Sequence, residues 1–259
     1  MNLVDSHCHI DVPDFDPDRT EVLERARQAG VSRIVVPAID ARGWPHLAKT
    51  CRAHPGLYPA FGLHPLFLSR HAPGDEERIG EWIEREGGIA VGECGLDYWI
   101  EDPDHDAQRR LFEAQLRIAR DLGLPVIIHC RKALDEVLML WRRIRPPAGV
   151  LHAFSGSDAQ ARRALDMDLR LGIGGPVTYP RARRLRSQAA TLPLDALLLE
   201  TDAPDQPLQG RQGQRNEPAC VRDICETVAG LRDLPPGEVA AATTAAAEAL
   251  FRLPPVAPA

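Results

Sequence analysis

Eight short aliphatic runs, recurring at intervals of 20 to 36 residues and separated by stretches of helical periodicity, predict an α/β fold: a (β/α)8 TIM barrel that forms a single domain over residues 1–253. The interval is that of a βα unit, because parallel strands need a crossover between them. A chain of 259 residues also suits one barrel domain of about 250 residues. The turn after the first run reads DSHCHIDVP rather than Gly-x-Gly-x-x-Gly, which argues against an open dinucleotide-binding sheet.

The elements follow in order. Strand one is expected at 3–4 and leads into His7 and His9; strand two is expected at 33–36, with Trp44 beyond it. Strand three, at 58–63, runs to His64 in GLHP, and strand four, at 89–91, ends at Glu93 in AVGECGLDY, followed by Trp99. The clearest helix spans 107–122, where Phe112, Leu116 and Ala119 form one buried stripe. Strand five at 125–128 ends at His129, with Arg131 two residues on, and strand six at 149–151 ends at His152. Strand seven at 169–173 precedes the run RARRLR at 181–186, and strand eight at 197–199 leads to Asp202. A polar loop at 206–216, helices at 219–231 and 236–253, and a flexible tail at 254–259 complete the chain.

Composition narrows the function. A net charge of -6 argues against a protein that wraps nucleic acid by phosphate neutralisation over its whole surface. No apolar run approaches the roughly 18 residues of a membrane span, so no membrane partner is expected. MNLVDSHCHI lacks a charged n-region with an apolar core, which makes the cytoplasm the expected compartment. Six cysteines without a CxxC pair read as free thiols.

Five of the nine histidines, at 7, 9, 64, 129 and 152, sit at the C-terminal ends of expected strands, where barrel enzymes build their sites. Side chains alternate along a strand, so His7 and His9 share a face and Cys8 points away. Glu93 and Asp202 add carboxylate oxygens. His7, His9, Glu93, His129, His152 and Asp202 exceed what one tetrahedral ion needs, whereas a bridging carboxylate lets six residues serve two ions. Glu93 is the expected bridge. A structural reading of any one such histidine is a satisfied core residue; for the set it would have to hold on five strands independently.

DSHCHID, GLHP, GECGLDY, IIHCRKA, LHAFSGS, ETDAPD and QRNEP, spread from residue 5 to residue 218, resemble the motifs of the TatD-type metal-dependent deoxyribonucleases, barrel hydrolases of the amidohydrolase-like group. ETDAPDQPLQGRQGQRNEP is similar to one uncharacterised-hydrolase branch of that family. The resemblance implies one ion on His7, His9, Glu93 and Asp202 and a second on Glu93, His129 and His152; spacing alone yields the six residues without that partition. It also implies 3'-to-5' exonuclease action on single-stranded DNA, or on another phosphodiester, with no obligate protein partner. Two departures remove no ligand: Cys94 fills a usually hydrophobic position and is expected in the core, and Lys132 follows HxR.

Two ions sharing a carboxylate suit a metal-dependent hydrolase acting on ester bonds, with water as the nucleophile. Asp202 and Glu93 are the expected catalytic carboxylates, Asp202 also as general base. His64, Arg131 and Asn216 are the expected substrate contacts. Simpler readings are a loop-ordering hydrogen bond for His64, a salt bridge to Asp97 for Arg131, core packing for Trp44 and Trp99, and a solvated helix face for RARRLR. Asp97 is expected to orient a ligand histidine or a loop rather than to bind metal directly. Four imidazoles favour Zn, Mn, Fe or Co over Mg by ligand type, while the family suggests Mg; Mg or Mn is expected to support activity and Zn to be able to bind. The rival enzyme is an amide or ester (acyl) hydrolase on the same dinuclear site. Its carbamylated-lysine subclass is disfavoured, because Glu93 stands at the bridging position and the only lysines are Lys49 and Lys132. A metal-binding scaffold without activity is the third reading, and would be expected to have lost ligands.

Overall fold

The computed structural model describes residues 1–101 and 104–254. Among them eight strands alternate with helices, the (β/α)8 TIM-barrel class: β1 (Leu3–Asp5), α1 (Arg19–Gln28), β2 (Val31–Pro37), α2 (Trp44–Ala53), β3 (Leu57–Ala60), α3 (Ile79–Glu86), β4 (Val91–Asp97), α4 (His105–Leu122), β5 (Val126–Arg131), α5 (Leu134–Ile144), β6 (Gly149–Leu151), α6 (Asp158–Leu165), β7 (Leu169–Ile173), α7 (Arg183–Thr191), β8 (Leu197–Leu199), α8 (Val221–Arg232) and α9 (Pro236–Phe251). No described helix is long and apolar enough to cross a membrane. The chain forms two compact units.

The first unit comprises Met1–Val36, Ala153–Ser155 and the chain from Leu171 onward. Here β1 runs parallel to β2, with Asp5 opposite Ile34, and β7 parallel to β8, with Ile173 opposite Leu199. The last strand also bonds to the first: the Ser6 N–H donates to the Leu199 carbonyl, Asp202 N–H to His7 and His9 N–H to Ala203. First and last strands of a barrel must meet in this way. Leu3, Ile10, Phe15, Val22, Val221 and Phe251 are fully or almost fully buried in its core. Pro254, at the start of the expected tail, is held by Arg33, whose guanidinium donates to its carbonyl at 2.8 Å. The rest of that tail lies outside the described residues.

The second unit comprises Pro37–His152 and Gly156–Arg170. Parallel pairing joins β4 to β5 and β5 to β6, and Phe61 bridges Val91. Strands four and five run further than their aliphatic stretches, so Glu93 and His129 lie within them rather than at their ends. Glycine permits this. Gly95 pairs with His129, and a Cβ at Gly95 would stand 1.9 Å from the His129 carbonyl oxygen, so the two backbones approach as only a residue without a side chain allows.

On α4 the expected stripe of Phe112, Leu116 and Ala119 is fully buried, Asp104 caps the N-terminus by accepting from the Ala107 N–H at 2.8 Å, and Gly123 ends the helix with φ +65°. Trp44, Phe61 and Trp82 pack with ring centroids 5.7 to 6.1 Å apart, and the Trp44 indole N–H donates to Gly62. Trp44 is thus a core residue. All six cysteines are free thiols.

Candidate metal centre

In the first unit the HxH segment leaves β1 with the expected alternation. Cys8 turns inward, its thiol directed at the Ala203 carbonyl 3.8 Å away, while His7 and His9 bring their Nε2 atoms to 3.2 Å. Asp202 Oδ1 lies 3.5 Å from the first and 3.6 Å from the second. Three donors at such separations share a point about 2.0 Å from each, which is a metal–imidazole or metal–carboxylate bond length. The trio therefore fits a divalent ion.

A buried carboxylate builds this trio. Asp5, fully buried, accepts from the His7 N–H at 3.2 Å, the Thr201 N–H at 3.0 Å and the Thr201 hydroxyl at 2.6 Å, fastening the start of HxH to the residue before Asp202. Burial pushes the Asp5 carboxyl up to about 8, and the hydrogen bonds from Thr201 and His7 pull against it. Asp202 itself has φ +56°, a left-handed conformation that aspartate tolerates better than most residues and that points its carboxylate at the histidines. The Gln206 amide, four residues on, donates to its second oxygen at 2.6 Å. Asn216 anchors the loop that carries Gln206: its amide donates to the carbonyls of Thr201, Asp205 and Gln206, and its oxygen accepts from the Glu217 N–H.

In the second unit three imidazoles converge on one oxygen. Glu93 Oε1 stands 3.1 Å from His64 Nε2, 3.1 Å from His129 Nδ1 and 3.2 Å from His152 Nε2. Their hydrogen-bond partners assign the tautomers. His64 Nδ1 accepts from the Leu66 N–H at 3.1 Å, so its Nε2–H donates to Glu93. His129 Nε2–H donates to Asp97 at 2.8 Å, which leaves the Nδ1 lone pair facing a carboxylate oxygen. Two acceptors at that distance require a proton or a cation between them, and the donor set fits a divalent ion. Burial alone would lower the His129 pKa; the bonds to Asp97 and Glu93 outweigh it and raise the net value. Burial would likewise raise Asp97, but the hydrogen bonds from His129 and the Trp99 N–H hold it below the usual carboxylate range.

Neutral amides build this set. Gln115 on α4 accepts from the Leu63 N–H at 2.8 Å and donates to the Leu63 carbonyl at 3.1 Å; seven residues earlier on the same helical face, Gln108 does the same for Asp97 at 2.8 and 2.9 Å. Each fully buried glutamine satisfies both backbone groups of the residue it holds, and so fixes His64 and the Asp97 that orients His129.

The structure thus places His7, His9 and Asp202 together, and Glu93, His129, His152 and His64 together, with His64 directly on Glu93. Arg131 is exposed and lies over the Trp99 ring at 5.2 Å, with Lys132 over the same ring at 5.0 Å; the Asp97 oxygens are taken by His129 and the Trp99 amide. Trp99 is 57% exposed. Asn216 is buried and its side chain is engaged with backbone. Cys94 is buried with its thiol directed at the Ile127 carbonyl, as core packing requires, and burial pushes its pKa well up. Of RARRLR, Arg186 donates to Val177, Arg184 to Ser155, and Arg181 lies over Tyr179. Sequence reasoning missed Asp5, Gln108, Gln115 and Gln206. The i, i+7 pair of glutamines on a predicted buried face was the one available signal.

Comparison with known proteins gives the family. A family model described as TatD related DNase matches residues 4–252. The chain is 42% identical over 255 residues to an uncharacterised metal-dependent hydrolase, YjjV, of Escherichia coli K12, covering 97% of this chain and 98% of that one. It is 34% identical over 259 residues to the 3'-5' ssDNA/RNA exonuclease TatD of Erwinia tasmaniensis, covering 97% and 100%. The crystal structure of the Escherichia coli TatD homologue YjjV superposes with a TM-score of 0.94 at 41% identity, covering 97% and 98%. With donor sets fit for metal and relatives aligned end to end, the chain is a metal-dependent hydrolase that belongs to the TatD-related DNase family.

Proposed function

We propose that the protein is a 3'-to-5' exonuclease of single-stranded DNA that uses two divalent ions, one held by His7, His9 and Asp202 and the other by Glu93, His129 and His152, with Glu93 shared between them as the family resemblance implies. The observation that carries the reading is the pair of donor sets, each with one carboxylate and at least two imidazoles; the exonuclease relatives at 34% identity support the substrate. Bound ions would supply Lewis acidity to the phosphoryl oxygens and lower the pKa of water.

The chain's own residues supply position and proton transfer. Asp202, with one oxygen held by Gln206, is the general base for the attacking water. Water attacks the terminal phosphorus, the bond from phosphorus to the 3' oxygen breaks, the water proton passes to Asp202, and the leaving oxygen is protonated from solvent. His64 donates to Glu93 and keeps that carboxylate aimed; Asn216 serves the substrate through the loop it ties down. Arg131 offers a planar fork to a substrate phosphate, and Trp99 beside it offers a face to a base. Imidazole-rich ligands suit Mn or Zn, and Mg or Mn is expected to support turnover.

The test is degradation of 5'-labelled single-stranded DNA and RNA with added Mg or Mn, with Glu93→Ala in parallel. A ladder shortening from the 3' end in wild type alone is expected. An inert wild type with its ions demonstrably loaded would transfer the assignment to an amide or acyl-ester substrate.

A further inference from the structure

Beside Asp202 the first unit contains a cavity of about 340 Å3. Its walls are Phe154, Pro176 and Leu185; its rim carries Arg181, Arg183 and Arg184 at the start of α7; and Gln206 closes one side. Phe154 is buried, so the apolar wall is preformed, and Arg184 donates to the Ser155 carbonyl at 2.9 Å, which holds one edge in place. Gly172 and Gly174 form the floor: a Cβ at Gly172 would stand 2.3 Å from the Glu200 carboxylate, so the buried glutamate leaves no room for a side chain there.

Gln206 connects this space to the reacting groups. Its backbone, at φ +51°, is pinned by the Asn216 amide on its carbonyl, and a Cβ on Gly175 would meet that carbonyl at 2.2 Å. The side chain so fixed lines the cavity and donates to Asp202 at 2.6 Å. The cavity therefore opens within one side chain of the general base.

The geometry points to a binding site for a single nucleotide, the one released at each turn: its base and sugar within the apolar walls, its phosphate on the arginine rim. The inference rests on the polynucleotide reading for its ligand. Three observations carry it. The volume lies near the ~300 Å3 lower limit of small-molecule sites, enough for one nucleotide rather than a longer chain. The rim is made of arginine, whose planar fork suits phosphate. And an enzyme that shortens a strand by one residue per turn needs a place for one residue beside its base.

Binding is measured by calorimetry in EDTA, with dAMP and dTMP compared with inorganic phosphate and with ribose 5-phosphate, on wild type, Ser155→Trp and Arg183→Ala. Ser155 is exposed and lines the cavity, so the indole fills the space while its carbonyl contact to Arg184 is retained. Wild type is expected to bind the nucleotides at least tenfold more tightly than inorganic phosphate. Ser155→Trp should weaken nucleotides tenfold or more. Arg183→Ala should weaken nucleotides and phosphate alike, by about tenfold, and decides the matter if the tryptophan variant does not fold. Nucleotide affinity no greater than that of phosphate, or unchanged in both variants, overturns the inference, even if the protein degrades DNA. Nucleotide binding lost in the variants, from a wild type that degrades no polynucleotide, upholds the cavity and removes the exonuclease reading instead.

Discussion

The two donor sets reach similar compositions by different means. The trio of His7, His9 and Asp202 lies on loop ends beyond β1 and β8 and is fastened by one buried carboxyl group, Asp5, with three donors on it. The set around Glu93 has Glu93 and His129 within β4 and β5 and His64 and His152 just past β3 and β6, and is fastened by neutral amides projecting from α4. A carboxylate clamp gathers more backbone at one point, but its burial opposes its ionisation. A glutamine clamp matches one residue's N–H and C=O and carries no charge to bury. One set is therefore sensitive to a single residue, and the other distributes its support.

The largest effect separates shared from private ligands. Glu93→Ala is expected to lower turnover by about three orders of magnitude and to reduce both ions by elemental analysis, since removal of a bridging ligand touches both sites. Retention of one full equivalent would make Glu93 private to the second set. Next comes the carboxyl clamp. Asp5→Ala strands three buried donors at about 1 to 3 kcal/mol each and is expected to destabilise the metal-free protein by ~3 kcal/mol or more, with weaker occupancy of one ion only. Chemical denaturation in EDTA checks this, and a loss under 1 kcal/mol would show that the clamp is dispensable.

Smaller effects test the distributed support. Asp97→Asn should lower the affinity of the His129 site by about 10- to 100-fold and leave the His7 site alone. Gln108→Leu should cost about 1 to 3 kcal/mol by leaving the Asp97 backbone unpaired; equal losses at both metal sites in either variant would erase the distinction drawn above. The smallest effect lies at the margin of the first unit, where the hydrogen bond from Arg215 holds the exposed Asp18 carboxyl below its ordinary range. A lowered acid stabilises the fold above the unfolded value of 3.8 and loses that contribution as pH falls through the folded value. Asp18→Asn should therefore flatten the acid limb of stability slightly, in urea melts between about pH 3 and pH 7.

Most of the architecture was legible in the sequence, because parallel strands between crossover helices leave aliphatic runs at a regular interval. The residues of the two donor sets were legible for the same reason: HxH alternation and the histidines that follow such runs depend on strand geometry alone. The ends of β4 and β5 were not, because their extension rests on Gly95 passing beside a carbonyl, a contact between segments 34 positions apart. Nor were the clamps. Asp5 and Gln206 act through partners whose proximity only the folded chain creates, and Asn216, expected at the substrate, spends its amide on backbone. Trp44 and Trp99 illustrate the same limit: identical residues after strands two and four, one sealed in an aromatic cluster and one exposed under two cations.

Glu200 and Gly172 share a volume that only one side chain can occupy. The carboxylate presses against the bare face of β7 and accepts from the Ala153 N–H at 2.6 Å, just beyond His152. An alanine at 172 would evict the glutamate and release the turn after a histidine of the second donor set, whereas a shorter acid at 200 would make room for that methyl group and forfeit the turn. The two positions are accordingly one steric unit with two addresses in the chain, and neither is free to drift unless the other moves with it.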